Sequence, residues 1–274
     1  MFEKPFGLVL RPPAAALALG CVLVVGCEEK KPNLAPVATT LPSSPPPPAS
    51  PGLRKLAIDP ASRTSIFLPA PKEKIRATTS AAAGQLDVDL TQIERSRGEV
   101  KIDLTTLTTS TFTDAADNAK QTANARTWLE VADGPEGKID EKTKELNRYA
   151  VYAIRAIEKA SASDVTKVAP VREGADDVRS ITLTARGELL LHGRKVEREA
   201  DLEARFSYDS GAAADQPRSV HVVTKKPLRV VLAEHDVKPR DKTGKIAKEA
   251  FNLLGTKVAD EAEIALDLTA KPGS

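Results

Sequence analysis

The sequence predicts an all-β fold, an antiparallel sheet closed into a barrel or folded into a two-sheet sandwich, with one or two short helices. Three observations carry that prediction. Beyond Leu56 the dominant hydrophobic period is two, so each strand buries one face and wets the other. Segments of helical period are few and do not separate successive strands, which excludes a parallel array of strand–helix–strand units. Several connections are short and carry glycine, as antiparallel hairpins require.

The chain opens with a segment of another kind. Residues 1–13 carry Lys4 and Arg11, and thirteen small or apolar residues, 14–26, follow. A bilayer span needs roughly 20. A basic start, a short apolar core and small residues before a cut describe a secretory signal. Val24-Val25-Gly26-Cys27 resembles the lipobox of bacterial lipoproteins, which implies cleavage before Cys27 and acylation of that residue. Ala18-Leu19-Gly20-Cys21 is a weaker second match, because cutting there truncates the apolar core. Cleavage leaves 274 − 26 = 248 residues, and loss of Glu3, Lys4 and Arg11 takes the net charge from +2 to +1. Acyl chains, at roughly 0.8 kcal/mol per buried methylene, then hold the protein on a membrane surface.

Residues 28–54 hold eight of the twenty prolines among Ser, Ala and Thr. That composition builds no core and favours an extended tether, reaching ~80 Å at ~3.1 Å per residue. The expected organisation is a signal peptide at 1–26, a lipidated Cys27 with a Pro-rich tether over 27–53, and a barrel domain over 54–274.

Within the domain Leu86, Val88 and Leu90 alternate with Gln85, Asp87 and Asp89, and Val100, Ile102 and Leu104 with Lys101 and Asp103. Ser96-Arg97-Gly98 connects these two runs as a hairpin. Ile181 and Leu183, then Leu189 and Leu191, lead into a second hairpin at His192-Gly193-Arg194-Lys195. Ala200, Leu202, Ala204, Phe206 and Tyr208 continue the alternation, and residues 209–217 form a loop. Pro227 bends the run 219–232 or places it at an edge. Ala262, Ile264, Leu266 and Leu268 form the last strand. Residues 245–254 read as a helix, with Thr243 as N-cap and Gly255 just past its end. Residues 140–160 fit a helical stripe and a strand equally well.

Composition narrows the function. Forty Lys and Arg against thirty-eight Asp and Glu give no excess charge for nucleic acid. Both cysteines, Cys21 and Cys27, lie in the first thirty residues, so the domain has no disulfide, thiolate nucleophile or Cys-ligated metal. The three histidines, His192, His221 and His235, lack metal-ligand spacing and read as turn or solvated residues. No nucleophile elbow, converging acidic pair or phosphate-cradling glycine loop is present. Neither catalysis nor a cofactor is expected. Lys225, Lys226 and Arg229 read as a solvated strand end.

The ordered set of segments resembles the YceI-like family. Leu56-Ala57-Ile58-Asp59 with Ser65-Ile66-Phe67 resembles its first strand pair. The runs 84–90 and 98–104 resemble its central hairpin, and Asn118, Arg126 and Trp128-Leu129-Glu130-Val131 its helical crossover. Leu189-Leu190-Leu191-His192-Gly193 resembles its most recognisable hairpin, and 228–241 with 259–264 its final strands. The resemblance implies a lipocalin-like antiparallel β-barrel of about eight strands. It also implies that the helix in 140–160 ends near Asn147 and that 149–160 is extended. The lumen would hold an apolar lipid, typically a polyisoprenoid such as an isoprenoid quinone, at the extracytoplasmic face of a membrane.

Inward positions are then Phe67, Leu86, Val88, Val100, Ile102 and Tyr152 in the first half of the domain. Ile154, Leu183, Leu189, Leu202, Phe206 and Ile264 follow in the second. The chain departs from the family after Phe67, where 69–83 has no aromatic residue, and it has only ten aromatics in all. Either small residues leave a roomier lumen, or Leu and Val fill it.

Overall fold

The period-two segments are strands of one antiparallel sheet in the computed structural model, which describes residues 34–47, 49–69, 74–133, 139–240 and 259–273. Cys27, the signal segment and the expected helix at 245–254 lie outside the described residues. The strands are β1 (Leu53–Ile58), β2 (Arg63–Pro69), β3 (Lys74–Thr79), β4 (Ala82–Asp89), β5 (Arg97–Asp103) and β6 (Thr108–Thr109). After helices α1 (Ala115–Trp128) and α2 (Glu141–Asn147) come β7 (Tyr149–Glu158), β8 (Val171–Glu173), β9 (Asp176–Leu191) and β10 (Arg194–Tyr208). β11 (Ser219–Thr224), β12 (Leu228–Val231) and β13 (Glu261–Pro272) complete the sheet.

Several strands are successive pieces of one stave. β1 and β2 lie on the same side of β13, with Ile58 opposite Ala270 and Ile66 opposite Ile264. β4 and β3 lie against β1 and β2, and β5 and β6 against β4 and β3. β11 and β12 both pair with β13 on its other side. The ring therefore runs β1/β2, β4/β3, β5/β6, β7, β9, β10, β11/β12, β13 and back to β1, a closed barrel of eight staves. Closure removes the unpaired edges that an open sheet exposes.

Local chemistry sets the breaks. Pro227 has no N–H to give a ladder, and the chain is unpaired there between β11 and β12. Ala81, at a left-handed φ of 63°, turns β3 into β4. The β9–β10 hairpin turns through His192 and Gly193, with φ of 49° and 70°, the mirror-image turn whose twist matches its strands. Gly187 on β9 is forced by close approach, because a Cβ there would overlap the Ala153 carbonyl of β7. The register between those strands shifts at Ile154/Ala156 beside it.

Two expectations change. The β4–β5 connection is longer than Ser96-Arg97-Gly98 implies. It spans 90–96 through a one-turn helix, Ile93–Arg95, and Asp89 Oδ1 accepts the Thr91 and Gln92 N–H groups at its start. Part of the Pro-rich segment lies along the barrel wall instead of standing clear of it. Ala38 N–H donates to Gly193 O at 2.5 Å, Arg194 to Ala35 O at 2.6 Å, and Pro42 is fully buried. A reach of ~80 Å is therefore too long for that segment.

The ambiguous segment divides as the family resemblance implies, with α2 ending at Asn147 and β7 starting at Tyr149. α1 is capped by Asp114, whose carboxylate accepts the Ala116 and Asp117 N–H groups. The main core fills the barrel around Phe206, Leu56, Ile181 and Val220. A smaller cluster of Leu232, Val237 and Ala262 packs with Trp128, Leu129, Ile66 and Leu68 under the C-terminal end of α1.

Candidate functional site

Among the described residues, period-two burial leaves at least two spaces inside the barrel. The larger, of about 320 Å³, lies among β2, β3, β5, β12 and β13 and is covered by α1. The smaller, of about 70 Å³, lies among β4, β7, β9, β10 and β11. Val100, Tyr152 and Leu266 line both and form the partition. The Tyr152 hydroxyl lies 2.9 Å from both Ala185 O and Arg198 O and donates between them, which fixes the ring across the lumen. Burial pushes its pKa up, so it stays a neutral donor.

Leu86, Val88, Ile154, Leu183, Leu202 and Phe206 line the smaller space. Ile102, Leu189 and Ile264 line the larger, and Val100 and Tyr152 line both. Phe67 is a correction: Thr64, Ile66 and Leu68 take the inward face of β2, and Phe67 points outward under the Arg76 guanidinium, 5.6 Å from its ring centroid. Ile66 opposite Ile264 sets that register, and a slip of one residue reverses every side chain of a strand.

The family resemblance implied a helical crossover here, but its place over the larger space was not read from the sequence. α1 presents Gln121, Asn124, Ala125 and Trp128 to the larger space, a stripe at i, i+3, i+4 and i+7. The stripe is half polar, so a search for apolar periodicity passes over it. Leu232 and Val237 close the same end from the chain after β12. No charged side chain lines the larger space among the described residues; Arg97 is the one cation lining the smaller.

Behind the cover is a polar cluster that the sequence reading also missed. Glu130, His192 and Asp236 meet there with left-handed φ of 56°, 49° and 56°. Glu130 Oε2 lies 2.7 Å from His192 Nε2, and Glu130 Oε1 lies 3.1 Å from Arg240. The hydrogen bond from His192, then the Arg240 charge, hold the Glu130 carboxyl below its usual range against the effect of burial. His192 Nδ1 is 3.1 Å from His235 O, and Trp128 Nε1–H donates to Arg240 O at 3.2 Å. His192 and His235 are therefore buried, not solvated, while His221 sits at the surface 2.7 Å from Asp267. Burial drives the His235 pKa down to about 4. Among the described residues no group of three His, Cys, Asp or Glu side chains is placed to hold a metal ion.

The model of the YceI-like domain family matches residues 56–270. Two solved structures are similar. One is a polyisoprenoid-binding domain from Saccharophagus degradans implicated in plant cell wall breakdown, at 13% identity and a TM-score of 0.48, covering 81% of this chain and 99% of that one. The other is Burkholderia cenocepacia BcnA, at 13% identity and a TM-score of 0.46, covering 78% and 99%. No curated protein matches the chain.

Proposed function

The chain belongs to the YceI-like domain family, and from that premise we propose that it is a lipid-anchored extracytoplasmic protein that binds an isoprenoid lipid non-covalently in its barrel. The observation that carries the reading is the larger space: about 320 Å³, roofed by a helix and lined without a charge among the described residues. That volume is at the lower end of the ~300–1,000 Å³ of ligand pockets. It is about twice the ~150 Å³ of an engineered cavity that takes benzene, which scales to roughly thirteen carbons or two to three isoprene units. At ~0.8 kcal/mol per buried methylene, such a segment gains about 10 kcal/mol before the costs of ordering it. A longer chain would extend beyond the space. Binding and release, for carriage or sequestration, need no bond to be made or broken. The anchor rests on Val24-Val25-Gly26-Cys27, with acyl chains on Cys27 supplying the membrane affinity.

The test is native mass spectrometry of the full chain, expressed with its N-terminal segment and released from membranes in mild detergent, with organic extraction of the same sample. A reproducible adduct that extracts as an isoprenoid, and that disappears when Ala125→Phe fills the space, is the expected result. A clean unliganded mass, with no uptake of added farnesol or quinone, would leave a structural lipoprotein and overturn the reading. For the anchor, Cys27→Ser should move the protein from the membrane to the soluble fraction.

A further inference from the structure

Two hydroxyls in the larger space have no structural use. Thr64 on β2 and Thr79 on β3 are directly opposed across the ladder and share its inward face. They are 4% and 2% exposed, and neither Oγ1 has a hydrogen-bond partner among the described residues. A buried hydroxyl without a partner is destabilising, and valine has the same shape without that penalty. The other buried threonines among the described residues, Thr109 and Thr184, are engaged. Thr109, on the same wall, donates to Asn118 O at 2.8 Å, and Thr184 donates to Asp201 at 2.8 Å. Packing alone accounts for the methyl groups of Thr64 and Thr79 but not for their oxygens.

We propose that Thr64 and Thr79 form a subsite for one uncharged oxygen, so that the larger space selects an apolar chain ending in a hydroxyl or carbonyl and takes that end innermost. This rests on the lipid-binding reading and adds the end group and its direction. The end group is uncharged because no cation lines the space among the described residues, and a phosphate or carboxylate there would lose its water without gaining a counter-charge. The direction follows from register. Thr64 is opposite Leu266, one of the three partition residues, so the pair sits at the inner end. Four residues on, roughly 13 Å along the strand, Leu68 is only half-buried, as is its opposite number Ile75. The tail then lies toward Leu68, Ile75 and Trp128.

The fluorescence of Trp128, the only tryptophan, reports occupancy of the space it lines. The full chain, stripped of lipid, is titrated with farnesol, with the hydrocarbon farnesene and with farnesyl phosphate. The native protein should prefer farnesol to farnesyl phosphate by more than tenfold. In a Thr64→Val, Thr79→Val variant the affinity ratio of farnesol to farnesene should fall about tenfold, with farnesene binding retained. Thr64→Ser, which keeps the hydroxyl, should preserve the native ratio, and Thr79→Val alone should lose part of it if the double variant folds poorly. The double variant should also melt at a higher temperature without ligand. An unchanged ratio, or equal binding of farnesyl phosphate, would overturn the subsite while leaving lipid binding in place. A folded native protein that takes up neither farnesol nor farnesene would overturn both.

Discussion

Acid should weaken the fold through His235 before the carboxylates titrate. The imidazole is fully buried, and its Nδ1 lies 3.2 Å from both Leu191 O and Arg194 O, while Nε2 has no partner among the described residues. Burial, reinforced by the Arg198 charge, outweighs those carbonyls and holds the folded pKa at about 4 against an unperturbed 6.5. The folded state therefore binds fewer protons than the unfolded chain between those values. The contribution is fully present above pH 6.5 and is lost as the pH falls toward 4. Between pH 7 and pH 4.5 the linkage is worth about 2.5 kcal/mol. The control is His235→Asn, whose amide keeps donating to a carbonyl without titrating. Urea midpoints of both proteins, measured from pH 7.5 to 4.5, should diverge below pH 6.5, the native protein falling faster by that amount. Parallel curves, or an imidazole resonance of His235 titrating near 6.5, would refute the argument.

Other perturbations follow from single contacts. Gly187→Ala drives a Cβ into the Ala153 carbonyl and must part β7 from β9; a cost of about 3 kcal/mol, read as a drop of about 10 °C in Tm, is expected by calorimetry. Tyr152→Phe removes the hydroxyl shared by Ala185 O and Arg198 O, and should lower stability by about 1 kcal/mol in urea denaturation. Glu130→Ala removes the carboxylate that meets both His192 and Arg240 behind the cover and should cost about 2–3 kcal/mol, with a Trp128 emission shift as the cover loosens.

The barrel was legible because its strands are wet on one side. Ala200 to Tyr208 names its own inward face, and once β10 is placed, β9 and β11 follow by pairing. Phe67 was misread because β2 has three consecutive large apolar residues, Ile66, Phe67 and Leu68, and alternation does not choose between the two faces of such a run. Its register is fixed instead by β13, almost two hundred residues away. The place of the cover was illegible for a related reason. α1 meets the space with two amides, an alanine and a tryptophan, and the buried histidines stand in a hairpin turn (His192) and at the end of a one-turn helix (His235), where solvation is the ordinary expectation. What buries them is the meeting of three chain reversals, at Glu130, His192 and Asp236, and no local pattern encodes that meeting.

The scarcity of aromatic residues offered two outcomes, a roomy lumen of small side chains or a filled one, and the barrel has both. On one side of Tyr152 the lining is Leu86, Leu183, Leu202 and Phe206, large side chains facing one another, and about 70 Å³ is left. On the other side Ala77, Ala125, Ala150, Ala200 and Ala262 stand among the leucines, and about 320 Å³ is left. Ring closure fixes the wall, so the free volume is set by side-chain size at each level of the barrel. Ala200 and Leu202 show the division on a single strand: two residues apart on the same face of β10, one lines the larger space and the other the smaller. The filled half supplies the packing that keeps the ring closed. The alanine half gives up part of that packing, and a ligand chain that restored it would stabilise the folded state by RT ln(1 + [L]/Kd), an amount set by its free concentration as well as its affinity.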